Sequence, residues 1–321
     1  MAERPKVLLA FPLADPSAQE RLARDADVVV AGTADPATLA GLLSDADGVI
    51  VRPPARLDRA ALEAAAKLRV IANIGAGLDH IDTEVTRARG IPVAAGAGAN
   101  ARAVAEYVIW AMLTLSRRLS AAIAELSDPA SDWASRVSRL RGRELAGQTL
   151  GIVGYGHIGE VLAGLARALG LRVAAYDPYR APEPGDVDLV CAGLDELLDA
   201  AQILSVHVPL TNETRNLIDW AALERLGTDG IVVNSARGGV VDEDAVVNAL
   251  REGRLRGAAW DVFDPEPPPP GRLAELAAVP GLLLTPHIAG ISQEAGSALA
   301  WQAVEAVLAV LRGDDGRAGG S

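Results

Sequence analysis

A glycine-rich turn and a later carboxylate have the residue types and the order that dinucleotide binding requires. An apolar run at 149–153 is followed by Gly154, Gly156 and Gly159. The next such run, at 172–176, is followed directly by Asp177. In such a motif the first glycine takes a tight turn, the second lets the backbone approach a pyrophosphate, and the third lets a helix pack closely on a strand. The sequence therefore predicts a strand, turn, helix and strand that bind a dinucleotide.

The helix predicted after this turn supplies hydrogen-bond donors for the phosphates. We expect the backbone at His157 and Ile158 to contribute, because the first N–H groups of a helix lack partners within it and carry partial positive charge. Asp177 is expected to accept hydrogen bonds from the adenosine ribose and to repel a 2′-phosphate, which favours NAD over NADP. Arg180 is close enough in the sequence to leave NADP open.

Three further clusters of polar residues each follow an apolar run, and their side chains could perform chemistry on a carbonyl or hydroxyl group. Arg237 presents a planar fork of donors that matches a carboxylate. Asp261 and Glu266 are carboxylates after the next run, and His287 follows a third. An imidazole can pass a proton near neutral pH. Taken singly, each of these residues is more often a surface or structural residue.

Composition places the chain among globular proteins and limits its partners. Half of its 321 residues are hydrophobic, 22% are charged, and the formal net charge is −12. This balance argues against a surface for nucleic acid or anionic membranes. The single cysteine, Cys191, excludes a disulfide within the chain and a cysteine-based metal site, and the four histidines do not have metal-ligand spacing. We expect no metal.

The order of the elements predicts two α/β domains. Short apolar runs alternate with helical segments, which is typical of parallel sheets covered by helices on both faces. The runs are too many for one sheet, so we expect two doubly wound domains. A glycine-rich stretch at 95–100 separates them, and Asn100 precedes a helix with apolar residues at helical spacing. No signal peptide and no run of about 20 uncharged apolar residues is evident, so we expect a cytoplasmic protein.

Together these motifs resemble the D-isomer-specific 2-hydroxyacid dehydrogenase family, in particular its phosphoglycerate dehydrogenases and hydroxypyruvate reductases without a regulatory domain. The resemblance covers most of the chain. It is carried by the segments 74–82, 100–106, 154–159, 206–211, 237–243, 261–267 and 285–288. It implies a Rossmann NAD-binding domain at 100–289. It also implies a flavodoxin-like substrate domain formed by 1–99 and 290–321.

The resemblance also implies roles for the polar clusters. Arg237 would polarise the substrate carbonyl and hold its carboxylate, and His287 would exchange a proton with the substrate oxygen. Glu266 would orient the His287 ring and favour its protonated form. Asp261 would accept from the nicotinamide carboxamide. We expect a hydride to pass between the nicotinamide and C2 of a small D-2-hydroxy acid or 2-oxoacid.

Further contacts follow from the same resemblance. His207 and Pro209 would lie at the cofactor's edge, the backbone of Ala76 and Gly77 would bind the substrate carboxylate, and Asn100 would lie near the reacting centre. Arg52 would face the distal end of the substrate, which favours a second anionic group, as in 3-phosphoglycerate or sulfolactate, beside glycerate or hydroxypyruvate.

The resemblance also bears on partners and on the one alternative from another class. It implies that the protein is a homodimer and that it binds a small-molecule 2-hydroxy or 2-oxo acid. The alternative is an NAD-sensing interaction protein of corepressor type that retains these residues without significant turnover.

Overall fold

The chain forms two compact units. The structure is a computed structural model that describes residues 4–126 and 132–313. The first unit comprises Met1–Asn100 with Ile291–Ser321, and the second comprises Ala101–Gly290. The two predicted domain boundaries, after residues 99 and 289, each lie one residue before the boundaries in the structure. The assignment of substrate to one unit and dinucleotide to the other stays a prediction.

Strands and helices alternate throughout the described residues. The strands are β1 (Lys6–Leu9), β2 (Asp27–Val30), β3 (Gly48–Val51), β4 (Val70–Asn73), β5 (Val93–Ala95), β6 (Thr149–Val153), β7 (Arg172–Tyr176), β8 (Leu189–Val190), β9 (Ile203–Val206), β10 (Ile231–Asn234), β11 (Gly257–Trp260) and β12 (Leu282–Leu284). The helices are α1 (Pro16–Asp25), α2 (Pro36–Leu43), α3 (Arg59–Ala64), α4 (Thr83–Ala88), α5 (Ala101–Ser116), α6 (Leu119–Leu126), α7 (Trp133–Arg139), α8 (His157–Ala168), α9 (Leu194–Ala200), α10 (Trp220–Leu226), α11 (Glu243–Arg251), α12 (Pro270–Ala277) and α13 (Gln293–Arg312).

Aspartates decide where many of these helices begin. The side chain of Asp58 accepts from the N–H of Ala61 at 2.9 Å, and it caps α3. Such an aspartate satisfies one of the N–H groups that the first turn leaves unpaired. The same arrangement occurs before α1, α2, α4, α10 and α11, at Asp15, Asp35, Asp82, Asp219 and Asp242.

The first unit contains a five-stranded parallel sheet in the order β2-β1-β3-β4-β5. This is the flavodoxin-like order, whose switch point lies between β1 and β3. Successive residues of one strand enter different cores, since Val49 packs in one buried cluster and Ile50 in another. Both faces of the sheet are therefore covered, as the apolar runs predict.

Helix α13 returns to this first sheet. Its length and composition would suffice to cross a membrane, a candidate that the sequence analysis did not identify, and 44% of the tested span is buried. Its apolar face, which includes Ala300, Val304 and Val307, belongs to the core formed by Val7, Leu9 and their neighbours. The helix is a core element of the first unit.

The second unit contains a seven-stranded parallel sheet in the order β12-β11-β10-β9-β6-β7-β8. From β6 outward this is the Rossmann order with one added strand, and its switch point lies between β6 and β9. Ile203 and Leu204 enter different buried clusters, so helices cover both faces. The predicted fold class, two doubly wound α/β units, is confirmed.

Candidate active site

The glycine turn lies at the switch point of the second sheet, directly after β6. Gly154 has φ +90°, and a Cβ atom at this position would lie 2.6 Å from the carbonyl oxygen of His207, which follows β9. The turn is therefore packed against the end of the neighbouring strand. Any larger residue would strain the backbone and collide with His207.

The other two glycines have different roles. A Cβ atom on Gly159 would lie 2.9 Å from the carbonyl oxygen of Gly154, so this glycine lets α8 pack against the turn. Gly156 caps α8 without a side-chain hydrogen bond, and a Cβ atom there would meet nothing within 4 Å. The backbone at His157 and Ile158 thus begins a helix beside open space. This arrangement fits a pyrophosphate.

Asp177 follows β7 and ties that strand to the turn. One carboxylate oxygen accepts from the N–H of Tyr155 at 2.8 Å. The other accepts from the N–H groups of Tyr179 and Arg180 at 2.8 and 3.1 Å. Carboxylate oxygens have further lone pairs, so the predicted hydrogen bonds to a ribose remain available. The guanidinium of Arg180 is engaged in an ion pair with Glu160.

His207 lies largely buried at the end of β9. Its Nε2 atom is 2.9 Å from the hydroxyl of Ser205, and burial lowers the pKa of the imidazole to about 4. The ring is therefore neutral at neutral pH and is not a proton donor there. Pro209 is exposed two residues later, and its carbonyl accepts from the Thr214 hydroxyl at 2.6 Å. Contact of either residue with a cofactor stays a prediction.

His287 and Glu266 form the pair that the sequence analysis predicted. The Nδ1 atom of His287 lies 2.6 Å from Oε1 of Glu266, and the two side chains are 48% and 38% exposed. A carboxylate that accepts from Nδ1 fixes the ring and leaves Nε2 to face a substrate. His287 itself has φ 55°, a left-handed conformation that is uncommon for residues other than glycine.

Asp261 holds the segment that carries His287. Its side chain is fully buried. Oδ1 accepts from the Thr285 hydroxyl at 2.6 Å and from the N–H of Ile288 at 2.8 Å, while Oδ2 accepts from the N–H of Ala289 at 2.7 Å. This positioning role was missed by sequence reasoning. The predicted contact of Asp261 with a carboxamide stays a prediction.

Tyr107 extends this network from α5. Its hydroxyl lies 2.7 Å from the hydroxyl of Thr285, and burial raises the pKa of Tyr107 to about 12. An ionised carboxylate can only accept, so Thr285 donates to Asp261 and Tyr107 donates to Thr285. The chain of donors therefore ends on a single buried carboxylate.

Arg237 belongs to a loop that packs on the segment before Glu266. The loop follows β10, where the buried amide of Asn234 donates to the carbonyl of Arg237 at 2.9 Å and accepts from the N–H of Ala236 at 3.1 Å. A Cβ atom on Gly238 would lie 2.1 Å from the backbone of Phe263, so the two loops touch. The structure thus brings Arg237, Glu266 and His287 to the carboxyl ends of three adjacent strands, β10, β11 and β12.

The predicted substrate residues belong to the first unit. Ala76 and Gly77 lie in the loop after β4, and Asn100 immediately precedes α5. The guanidinium of Arg52 lies 4.6 Å from the ring centroid of Phe11 and donates to the Pro53 carbonyl at 3.1 Å. Arg52 and Phe11 follow β3 and β1, on the two sides of the switch point.

Among the described residues no group of three potential metal ligands occurs.

These features define a class of protein. A Rossmann-ordered sheet with a glycine turn at its switch point, joined to a flavodoxin-like unit, is the architecture of a two-unit nucleotide-binding α/β protein. The sequence profile described as "D-isomer specific 2-hydroxyacid dehydrogenase, NAD binding domain" matches residues 109–289. The chain belongs to the D-isomer-specific 2-hydroxyacid dehydrogenase family.

Individual relatives agree with this assignment. The chain is 37% identical over 311 residues to the D-3-phosphoglycerate dehydrogenase of Mycobacterium tuberculosis, covering 97% of this chain and 57% of that protein. It therefore spans little more than half the length of that relative. It is 39% identical over 280 residues to the (S)-sulfolactate dehydrogenase of Chromohalobacter salexigens, covering 85% and 88% of the two chains. The crystal structure of the TT0316 protein from Thermus thermophilus superposes with a TM-score of 0.85 and 37% identity, covering 96% and 97%.

The packing around Gly154 predicts the effect of a single methyl group. We expect Gly154→Ala to lower the free energy of unfolding by roughly 1–3 kcal/mol, because of its positive φ and the collision with His207. The affinity for NADH should fall at least about tenfold, since the turn must shift. Thermal unfolding and NADH fluorescence titration measure both effects.

Gly164→Ala is the matched control on α8. A Cβ atom there meets nothing within 4 Å, so we expect unchanged NADH affinity and a gain of roughly 0.5–1 kcal/mol in stability. Equal behaviour of the two variants would contradict the proposed packing constraint.

Proposed function

We propose that the protein is an NAD-dependent oxidoreductase that acts on a small D-2-hydroxy acid or 2-oxoacid. The observation that carries this proposal is the 2.6 Å contact between His287 and Glu266. It lies at the edge of the sheet where the loop of Arg237 also begins. A proton donor, its orienting carboxylate and a guanidinium are the groups that reduction of a 2-oxoacid needs. Family membership supports the same assignment.

The residues of the chain divide the chemistry among them. A bound nicotinamide would supply or accept the hydride at the substrate C2. Nε2 of His287 gives a proton to the carbonyl oxygen during reduction and takes the hydroxyl proton during oxidation. Glu266 keeps the ring oriented through its contact with Nδ1. Arg237 polarises the carbonyl and holds the carboxylate. For the first unit, we propose that the backbone of Ala76 and Gly77 binds a carboxylate.

We propose NAD as the preferred cofactor. Asp177 places a negative charge after β7, where the adenosine ribose binds in Rossmann folds, and this charge opposes a 2′-phosphate. Arg180, the nearby cation that could offset it, pairs with Glu160. A cation already engaged in this way offers less to a phosphate.

Turnover separates the proposed enzyme from the NAD-sensing alternative. The test measures absorbance at the nicotinamide band with NADH or NADPH and the 2-oxoacids that correspond to glycerate, 3-phosphoglycerate and sulfolactate. We expect turnover with NADH, and weaker turnover with NADPH. Tight NADH binding with no turnover of any acid would support the NAD-sensing alternative and overturn the proposed enzymatic activity.

The contact between Glu266 and His287 predicts a loss of activity when the carboxylate is replaced by an amide. We expect Glu266→Gln to lower kcat/KM for reduction by roughly 10–100-fold. An amide makes a weaker hydrogen bond to Nδ1 than a carboxylate does, so the His287 ring is held less firmly in its orientation. Glu275→Gln, which removes an exposed carboxylate paired with Arg272 on α12, is the control and should change nothing. A kcat/KM for Glu266→Gln equal to that of the wild type would refute the role.

We further propose that the substrate carries a second anionic group that contacts Arg52. Ligands of flavodoxin-like sheets bind at the switch point, and Arg52 lies there with its guanidinium against Phe11. Stacking on an aromatic ring leaves the edge of the guanidinium able to donate. Two relatives are named for 3-phosphoglycerate and sulfolactate, which both carry such a group.

Loss of the Arg52 charge should act selectively. We expect Arg52→Ala to raise KM for 3-phosphoglycerate or sulfolactate roughly 10–100-fold, the effect of one charge-assisted hydrogen bond, and to leave KM for glycerate nearly unchanged. Arg56→Ala, which removes another exposed arginine of the same segment, is the control. A parallel rise for all three acids would contradict the proposal.

We also propose that the protein is a homodimer. Large apolar side chains are exposed on α5, α6 and α7, namely Trp110, Leu113, Ile123, Leu126, Trp133 and Val137. Large apolar side chains exposed on consecutive helices are typical of an interaction site. Sedimentation velocity should give a dimer for the wild type and a monomer for Ile123→Glu. Leu273→Glu, at an exposed position on α12, should stay dimeric. A monomeric wild type would contradict this proposal.

A further inference from the structure

The loop that carries Ala76 and Gly77 is anchored by one buried amide. Asn73 is the last residue of β4 and is 1% exposed. Its Nδ2 atom donates to the carbonyl oxygens of Gly75 and Gly77, at 2.8 and 2.9 Å. Both donors of the amide are therefore used on two carbonyls that flank Ala76.

These two hydrogen bonds set the direction of the neighbouring N–H groups. In a trans peptide the C=O and N–H bonds point in opposite directions. Because the Gly75 carbonyl points to Asn73, the N–H of Ala76 points away from it. The Gly77 carbonyl orients the N–H of Leu78 in the same way. Ala76 is exposed, so its outward N–H is available to a ligand.

A second contact holds the same loop from β5. The N–H of Gly96 donates to the Gly75 carbonyl at 2.9 Å, and a Cβ atom on Gly96 would lie 3.0 Å from the Gly75 nitrogen. Gly75 itself has φ +125°, which a residue with a side chain rarely adopts. The loop is therefore fixed at Gly75 by two donors from two adjacent strands.

The side chain of Asn73 holds the loop through its N–H groups and not through its oxygen. Oδ1 of Asn73 is buried and has no hydrogen-bond partner among the described residues. Buried polar atoms are nearly always paired, so each exception needs a reason. An amide turned by 180° would place its oxygen toward the carbonyls of Gly75 and Gly77, which would then lose their donor.

We propose that Asn73 is a positioning residue that holds the loop in the conformation that binds the substrate carboxylate. This inference rests on the proposed function, because it assigns the outward N–H of Ala76, one of the two backbone groups proposed above, to the carboxylate of a 2-oxoacid. Asn73 does not touch the substrate. It acts through the carbonyls of Gly75 and Gly77, which set the directions of the N–H groups of Ala76 and Leu78, as Asn234 acts on the loop of Arg237 in the second unit.

The test compares two variants that remove one or both donors. Asn73→Leu is neutral and similar in size and removes both, whereas Asn73→Ser retains one hydroxyl donor. Each variant is assayed for KM and kcat with a 2-oxoacid and NADH. The affinity of the NADH-loaded protein for oxamate, a carboxylate with the shape of a 2-oxoacid, is measured by quenching of NADH fluorescence. Thr86→Val, at a buried polar position on α4, is the control for a merely structural effect.

We expect a graded effect confined to the acid. KM and the oxamate dissociation constant should rise at least about tenfold in Asn73→Leu and about threefold in Asn73→Ser. The NADH dissociation constant should stay within twofold and kcat should change less than KM, because a carboxylate anchor contributes to ground-state and transition-state binding alike. Thr86→Val should lower the melting temperature without these changes.

Other results would overturn the inference. Oxamate affinity within twofold of the wild type in Asn73→Ser would do so while the proposed function stands, even where Asn73→Leu does not fold. A wild type that binds NADH but neither binds oxamate nor turns over any acid would overturn both.

Discussion

The geometry of the pair formed by His287 and Glu266 depends on the buried carboxylate of Asp261. Removing a carboxylate from water is costly unless hydrogen bonds replace its solvation. Here three donors do so, from Thr285, Ile288 and Ala289, and they bracket His287 in the sequence. The segment cannot move without leaving a buried charge unsatisfied. That constraint offsets the strain of the left-handed conformation at His287 and keeps its ring beside Glu266.

The same device recurs at the ends of other strands. Parallel strands end at one edge of the sheet, and the loops beyond them carry backbone groups that no ladder satisfies. A buried polar side chain on the last strand residue satisfies several of them at once. Asn234 does this for the Arg237 loop and Asn73 for the loop of Ala76. Each candidate loop is thereby held by a residue that is itself fixed in a buried strand.

The sequence predicted those features that depend on local pattern. Short apolar runs marked the strands because both faces of these sheets are buried, and the spacing of the glycines marked a turn that φ +90° at Gly154 requires. The pairing of Glu266 with His287 followed from resemblance and is present in the structure. Spacing alone would not have paired two residues that lie after different strands.

The features that were missed arise from tertiary contacts. Thr285, Tyr107 and Asn73 are ordinary residues in the sequence, and their importance depends on which buried atoms face them. The resemblance assigns Asp261 to the cofactor, and nothing local in the sequence shows that its oxygens accept from the His287 segment. Helix α13 is long and apolar enough to cross a membrane, which the sequence analysis did not identify, and its packing on β3 and β4 shows it to be a core helix.

The chain assigns its chemical tasks to separate units. The dinucleotide turn and the three groups proposed to polarise and protonate the substrate all belong to one sheet, with Gly154 after β6 and His287 after β12. Arg52 and the loop of Ala76, which are proposed to recognise the acid, belong to the other. Hydride and proton transfer need fixed distances, which a single rigid sheet supplies best. Recognition of the distal group requires only charge and shape, so Arg52 and Phe11 can change without disturbing the groups that react.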